Sequence, residues 1–104
     1  MTPFLYARMS TWKFKPGKRA EAVKIVEESI EEIRKAKGFR AIMTLLPKDD
    51  PNTAKFLAVW DSEEDLNSSQ QGIYTKVSGR AMPLSEKPPE LKNFEIPRAL
   101  LALI

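Results

Sequence analysis

One row of alternating side chains near the start of the chain could form a binding or catalytic site. Tyr6, Arg8 and Ser10 lie at every second position, followed by Trp12, and residues spaced by two lie on the same side of a β-strand. If that side faces inward, the Arg8 guanidinium could bind an anion such as an enolate or a phenolate. The alternative is an ion pair, or an arginine at the edge of the sheet whose charged head stays in water.

Aromatic residues further along the chain could contribute to the same site. Trp60 could stack on an aromatic ligand, or it could pack under a helix as large aromatic side chains mostly do. Tyr6 and Tyr74 could each donate a hydrogen bond to a substrate oxygen, or pack with the hydroxyl at the rim. The candidate catalytic residues are therefore Arg8, Trp60 and Tyr74, and the candidate substrate-binding residues are Tyr6, Ser10, Met43 and Phe56. Methionines such as Met43 more often fill cores.

The chain of 104 residues contains neither histidine nor cysteine, which excludes several kinds of catalytic and metal-binding site. Ser-His-Asp triads, cysteine nucleophiles, disulfides, His/Cys zinc sites and His-ligated haem are all excluded. Two acidic groups, at residues 27–32 and 61–65, are explained by a solvated helix face and a helix N-terminus. We therefore expect no metal site and no cofactor.

The length predicts a single domain over residues 1–104. The net charge is +3, and no basic cluster with interleaved aromatic residues suggests nucleic-acid binding. The start of the chain does not resemble a secretory signal, and no apolar run is long enough for a membrane span. We therefore expect a cytoplasmic protein without a nucleic-acid or membrane partner.

The spacing of apolar residues predicts the elements that would position these side chains. Alternation over Pro3–Phe14 predicts a strand, which Lys15-Pro16-Gly17 ends. An apolar stripe at helical spacing predicts one helix over Lys18–Lys37, with Gly38 as its left-handed C-terminal cap. The stripe consists of Val23, Val26, Ile30 and Ile33, flanked by Ala22 and Ile25.

The second half of the chain predicts two more strands, a helix and a final strand. Phe39–Leu46 and Ala54–Asp61 form a hairpin, and a helix capped by Ser62 follows and breaks near Gly79. A loop over Arg80–Glu90, anchored by Met82 and Leu84, leads to a strand over Leu91–Ile104, where Pro97 indicates an edge position or a bulge. The order β-α-β-β-α-β is that of an α+β, ferredoxin-like fold with an antiparallel four-stranded sheet.

Both faces of the predicted sheet are apolar, although the helices can cover only one of them. The sets on the two sides include Phe39, Met43 and Leu45 on one face of the second strand and Ile42 and Leu46 on the other. A two-fold dimer that stacks sheet on sheet would cover the second face and close a barrel-like core. The alternative is that short edge strands leave some apolar surface exposed.

Several short stretches, in this order, resemble the antibiotic biosynthesis monooxygenase domains of the dimeric α+β barrel superfamily. They are Tyr6-Ala7-Arg8, Phe14-Lys15-Pro16-Gly17-Lys18, Lys37-Gly38-Phe39-Arg40, Val59-Trp60-Asp61-Ser62-Glu63-Glu64-Asp65-Leu66 and Pro88-Pro89-Glu90. The resemblance implies a ferredoxin-like homodimer with a pocket between sheet and helices in each subunit. In some members it implies cofactor-independent oxygenation of aromatic or quinol-like substrates.

The resemblance also allows the chain to be compared with individual branches of that family. The haem-degrading branch uses an Asn, a Trp and a ligating His, whereas this chain places Ser10 and Ser69 near the first two positions and has no histidine. We therefore reject haem degradation of that type. Trp60 matches a sheet tryptophan that is frequent in the family. Phe56 departs from it, because some family oxygenases carry an Asn four residues before that tryptophan.

Two functions are compatible with these residues. The first is a cofactor-free monooxygenase of a small aromatic, phenolic or quinol-like compound, in which Trp60 stacks on the ring, Arg8 stabilises its anion and the hydroxyl side chains orient it. The second is a non-catalytic homodimer that binds a small apolar or aromatic ligand or serves a structural role. Whether polar groups converge on the pocket would distinguish the two.

Overall fold

A computed structural model describes residues 3–102 as an antiparallel four-stranded sheet covered on one face by helices. The strands are β1 (Phe4–Lys13), β2 (Phe39–Leu45), β3 (Thr53–Trp60) and β4 (Glu90–Pro97), in the spatial order β2-β3-β1-β4. The helices are α1 (Arg19–Glu28), α2 (Ile30–Arg34), α3 (Glu63–Gln71) and α4 (Ile73–Ala81). This arrangement confirms the predicted ferredoxin-like α+β fold.

The helix predicted over Lys18–Lys37 is divided at Ser29 into α1 and α2. Ser29 is 1% exposed, and its hydroxyl donates to the carbonyl oxygen of Ile25 at 2.7 Å. Serines that bond back to the preceding turn bend helices. The guanidinium of Arg80, on α4, also donates to the Ser29 hydroxyl at 2.9 Å, so the break is joined to the opposite helix.

The second predicted helix begins as expected but is interrupted at a different glycine. The Ser62 hydroxyl accepts a hydrogen bond from the Asp65 backbone N–H at 3.1 Å, which confirms the predicted cap. The interruption lies at Gly72 rather than near Gly79, and α4 continues through Gly79. The continuation buries Val77 and Ala81, and this packing outweighs the low helix propensity of Gly79.

The loop predicted over Arg80–Glu90 is shorter, because α4 extends to Ala81 and a 3-10 helix spans Met82–Leu84. Leu84 packs against the core as expected, whereas Met82 is 40% exposed and does not anchor the loop. The final strand ends at Pro97 and not at Ile104, and a second 3-10 helix covers Arg98–Leu100. Residues 103 and 104 lie outside the described residues. As predicted, β4 is an edge strand.

A β-bulge in β2 changes which residues share a face. The register shifts between Phe39, which pairs with Trp60, and Ala41, which pairs with Val59. Phe39 therefore lies on the helix-covered face with Trp60, whereas Met43 lies on the opposite face beside Leu57. The prediction that Phe39 and Met43 share a face is wrong, because the extra residue of the bulge reverses the alternation.

Both faces of the sheet are apolar, as the sequence indicated. The helix-covered face contributes Trp12, Phe14, Ala54 and Phe56 to the main core, together with Ala22 and Ala81 from the helices. The other face, which we call the open face, carries a second cluster of Leu5, Ala7 and Val59, packed with Ala41, Leu57 and Ile96. On the open face Met43 and Phe94 are 47% and 39% exposed.

Gly38 should tolerate substitution less well than Gly17. Both have φ of +78°, but a Cβ on Gly38 would lie 2.7 Å from the Cβ of Asp65, whereas one on Gly17 would meet nothing within 4 Å. Gly17→Ala should lower the free energy of unfolding by about 1 to 2 kcal/mol, the backbone contribution alone. Gly38→Ala should lower it by about 2 to 4 kcal/mol, because the contact adds to that contribution. Equal losses in urea denaturation would contradict this.

Candidate functional site

A cavity lies between the helix-covered face of the sheet and the helices, with a volume of about 80 Å³. β1, β2 and β3 supply one wall and α1, α2, α3 and α4 supply the other. The candidate residues that line it are Arg8, Ser10, Phe56, Trp60 and Tyr74. The rest of the lining is almost wholly apolar and includes Val26, Ile33, Ile42, Ile73 and Val77.

Arg8 is the cation of this cavity. It sits on β1 between Ala58 of β3 and Asn93 of β4, and it is only 6% exposed. Its Nε donates to the Asn93 Oδ1 at 3.0 Å, whereas its buried Nη1 has no hydrogen-bond partner among residues 3–102. The side chain is therefore neither at the sheet edge in water nor, within that part of the chain, in an ion pair.

Burial lowers the pKa of the Arg8 guanidinium, and the nearby Tyr74 opposes this effect. Arginine nevertheless keeps its proton in proteins. A buried cation without an anionic partner is unfavourable unless something compensates the charge. Nη1 is therefore free to donate a hydrogen bond to a group from outside residues 3–102, and an anion would compensate the charge.

Tyr74 supplies the second polar group. It lies in the first turn of α4, and its buried hydroxyl has no hydrogen-bond partner among the described residues. Burial raises the pKa of this hydroxyl, while the Arg8 guanidinium and the Ser10 side chain partly oppose the rise. The phenol is therefore neutral at physiological pH and can donate a hydrogen bond.

Three serines line the cavity, and they differ in what they can offer. Ser10 is 4% exposed and lies two positions from Arg8 on the same face of β1. The Ser69 hydroxyl of α3 donates to the carbonyl oxygen of Leu66 at 2.6 Å, and the Ser78 hydroxyl of α4 donates to that of Thr75 at 3.3 Å, so both protons are already used inside the helices. Ser10 is therefore the best placed of the three to orient a ligand.

Two aromatic residues, Trp60 and Phe56, form what we call the aromatic wall of the cavity, and both are also packed in the protein interior. Trp60 is 3% exposed and contacts Phe39 edge to face, with ring centroids 5.7 Å apart. Phe56 is 7% exposed and belongs to the main core cluster, in which Trp12 stacks on Phe14. Trp60 and Phe56 are thus core residues that also line the cavity; the packing expected for Trp60 is present, and its stacking on a ligand stays a prediction.

Two candidate residues lie outside the cavity lining. Tyr6 is half-buried on the helix-covered face, opposite Trp60 and Glu95. Met43 lies on the open face because of the bulge in β2, and its neighbour Ile42 lines the cavity instead. Sequence reasoning missed Asn93, which could be found only once the register of β4 against β1 is known.

Two further classes of site can be assessed in the described residues. Between residues 3 and 102 there is no group of three or more Asp, Glu, His or Cys side chains arranged to hold a metal ion. Over the same residues, no helix has the length and apolar character that crossing a membrane requires.

Comparison with known protein families identifies the chain. The sequence model of the family described as antibiotic biosynthesis monooxygenase matches residues 5–76, which is well over half of the chain. The chain belongs to the antibiotic biosynthesis monooxygenase family. The match includes Arg8, Ser10, Trp60 and Tyr74, but it ends before β4, the strand that supplies Asn93. No curated protein sequence matches the chain.

Solved structures similar to the chain include other antibiotic biosynthesis monooxygenases. A protein of unknown function from Nitrosomonas europaea has a TM-score of 0.78 and 20% identity, over 98% of this chain and 95% of that one. A putative antibiotic biosynthesis monooxygenase from Bordetella bronchiseptica has a TM-score of 0.77 and 12% identity, over 88% and 95%. SnoaB, a cofactor-independent oxygenase from Streptomyces nogalater, has a TM-score of 0.73 and 15% identity, over 86% and 90%. At these identities the likeness establishes the shared fold.

Proposed function

We propose that this protein is a cofactor-independent monooxygenase of a small phenolic or quinol-like compound. The observation that carries the proposal is that Arg8 and Tyr74 both line an apolar cavity and that each has a buried polar atom, Nη1 and the hydroxyl oxygen, without a hydrogen-bond partner among residues 3–102. A phenolate oxygen bound beside both residues could accept a hydrogen bond from each. The family membership and the likeness to a cofactor-independent oxygenase support this choice.

In such a reaction the substrate itself supplies the electrons. One atom of O₂ becomes bonded to a ring carbon, and the other leaves as water with the hydrogen of that carbon and the hydroxyl hydrogen. The ring is thereby oxidised to a quinone by four electrons, the number that reduces O₂. The protein must position the phenolate, stabilise it and exclude water, which Arg8, Tyr74 and the aromatic wall are placed to do.

The size of the cavity favours substrates with one ring. An engineered cavity of about 150 Å³ holds benzene, whereas this cavity measures about 80 Å³. A single ring would therefore require small outward movements of the side chains around it, such as Ile73 and Val77. A fused three-ring quinol would require much larger ones. We expect one-ring quinols to be oxidised faster than anthrones or flavonoid-like phenols.

Tyr74→Phe tests the role of the tyrosine hydroxyl. The variant keeps the aromatic ring that α4 contributes to the cavity but removes the donor, so oxygen uptake with a one-ring quinol should fall about 10- to 100-fold, the effect of losing one neutral buried hydrogen bond. Trp60→Phe is the matched control, because it keeps an aromatic wall, and it should change the rate less than Tyr74→Phe. Equal rates for the wild type and Tyr74→Phe would remove the hydroxyl from the mechanism.

We also infer that the protein is a homodimer in which the open faces of two copies pack together. The exposure of Met43 and Phe94 in the single chain supports this, because such apolar patches usually mark an interface. The family resemblance implies the same assembly. The cytoplasmic location expected from the sequence stays a prediction.

A further inference from the structure

The cavity contains a cation and a hydrogen-bond donor but no group that can accept a proton. Arg8 and Tyr74 are its only titratable lining residues in the part of the chain that the structure describes. Arg8 is already protonated, and Tyr74 is held neutral by its burial. A general base must be within hydrogen-bond reach of the proton that it removes. The lining residues therefore provide no means of ionising a neutral phenol inside the cavity.

The partner of Arg8 leaves its charge uncompensated. Buried arginines are usually paired with carboxylates, but here the Nε donates to the neutral amide oxygen of Asn93 at 3.0 Å. Asn93 is exposed on the edge strand, so this bond fixes the guanidinium from the rim while Nη1 stays buried without a partner among the described residues. An aspartate at this position would hold the guanidinium equally well but would neutralise it.

The charged groups on the neighbouring helices and on β4 do not supply a base or a counter-charge inside the cavity. On the helices, Glu32 accepts ion pairs from Lys76 at 2.8 Å and from Arg80 at 3.1 Å, which occupies all three groups. On β4, Glu95 lies opposite Tyr6 and is exposed. None of these four residues lines the cavity.

We propose that the cavity takes up its ligand as an anion already formed in solution, an acidic one-ring phenol or enol, and that Asn93 positions Arg8 to bind it. This deepens the proposed function, because it names the class of substrate for the same site. The released proton goes to water before binding, so no residue of the chain has to accept it. In the reaction the second oxygen atom then leaves as hydroxide with the ring hydrogen and takes a proton from solvent to become water. Phenols that ionise near neutral pH should bind far better than those that stay neutral.

Binding of a coloured phenol tests the preference of the cavity for an anion without any enzymatic turnover. 4-Nitrophenol changes its absorption spectrum when it ionises, and 4-nitroanisole is a neutral compound of nearly the same shape. Bound to the wild-type protein, 4-nitrophenol should have an apparent pKa lower than in buffer by about one to three pH units, the effect of a nearby opposite charge. In equilibrium dialysis, above the pKa of the free compound, it should bind at least about tenfold more tightly than 4-nitroanisole.

Asn93→Asp should abolish the preference for ionised 4-nitrophenol over 4-nitroanisole while keeping the hydrogen bond to Arg8. The apparent pKa of bound 4-nitrophenol should return toward its value in buffer, and binding of 4-nitroanisole should change little. Lys87→Gln is the matched control, because it makes the same change in net charge at an exposed loop residue and should leave both probes unaffected. An effect of Lys87→Gln equal to that of Asn93→Asp would overturn the role of Asn93.

The wild-type measurement alone can overturn the inference, whatever the variants do. An unshifted pKa, equal binding of the two probes or no binding of either would each do so. A protein that binds 4-nitrophenolate selectively but oxidises no quinol would instead refute the oxygenase and leave the anion site in place. Turnover of quinols without any preference for the phenolate would refute the anion site alone.

Discussion

Replacing Arg8 with glutamine should lower kcat/KM for a one-ring quinol about 100- to 1,000-fold, the effect of removing one donor from an anion-stabilising site. Arg8 is the only cation in the cavity lining within the described chain, so no other residue there can replace its charge. Glutamine keeps polar atoms near Asn93 and a similar stem. The measurement is oxygen uptake over a range of quinol concentrations.

Arg98→Gln provides a control for this variant. Like Arg8, Arg98 has one buried guanidinium nitrogen, here Nε, without a hydrogen-bond partner among the described residues, but its Nη2 donates to the Asp61 carboxylate at 3.0 Å and the residue lies outside the cavity lining. Arg98→Gln should leave kcat/KM within about twofold of the wild type, since its charge is compensated outside the site. Equal rates for Arg8→Gln and the wild type would exclude the anion-stabilising role.

Met43→Asp should convert the protein from a dimer to a monomer. Met43 is 47% exposed in the single chain, so the fold can accept an aspartate there, but stacking of the open faces would bury two carboxylates without partners. The dimer dissociation constant should rise about 100-fold or more, for a cost of about 3 kcal/mol or more. Light scattering should give a mass near the 11.8 kDa of one chain.

Thr44→Asp is the matched control for the dimer. Thr44 is the next residue of the same edge strand, is also exposed and lies on the helix-covered face opposite Phe56. The variant adds the same charge on the other side of the sheet and should remain dimeric. A wild-type mass of one chain at micromolar concentration would contradict the assembly itself.

Much of the fold follows from the spacing of apolar residues, whereas the helix breaks do not. The break at Ser29 depends on its burial and on Arg80, a residue 51 positions away in the sequence. Gly72 and Gly79 have the same intrinsic propensity. The helix continues past Gly79 because Val77 and Ala81 pack into the core. Contacts of this kind appear only when the elements are assembled.

The candidate site was predictable to the extent that strand alternation determines it. The row containing Arg8 and Ser10 lies on one face of β1 as expected, and the cavity brings Trp60 and Tyr74 to it. Met43 was placed incorrectly relative to Phe39 because a single extra residue in β2 reverses the alternation beyond it. Nothing in the local sequence marks that bulge.

The contribution of Asn93 could not be read from the sequence for a different reason. Asn93 bonds to Arg8 because the two residues, 85 positions apart in the sequence, lie opposite each other on β4 and β1. The sequence pattern of β4 indicates an edge strand but does not fix its register. Only the register shows that the buried guanidinium is bonded to an amide and not to Glu95, two residues further along.

Oxygenation of a phenolic ring by the wild-type protein without a cofactor can be followed with labelled oxygen. The purified protein, dialysed against a chelator, is mixed with a one-ring quinol under ¹⁸O₂. We expect uptake of one O₂ per molecule of product, with one ¹⁸O atom in the product and the other in water. Uptake no faster than autoxidation of the quinol in buffer, or a product without ¹⁸O, would contradict it.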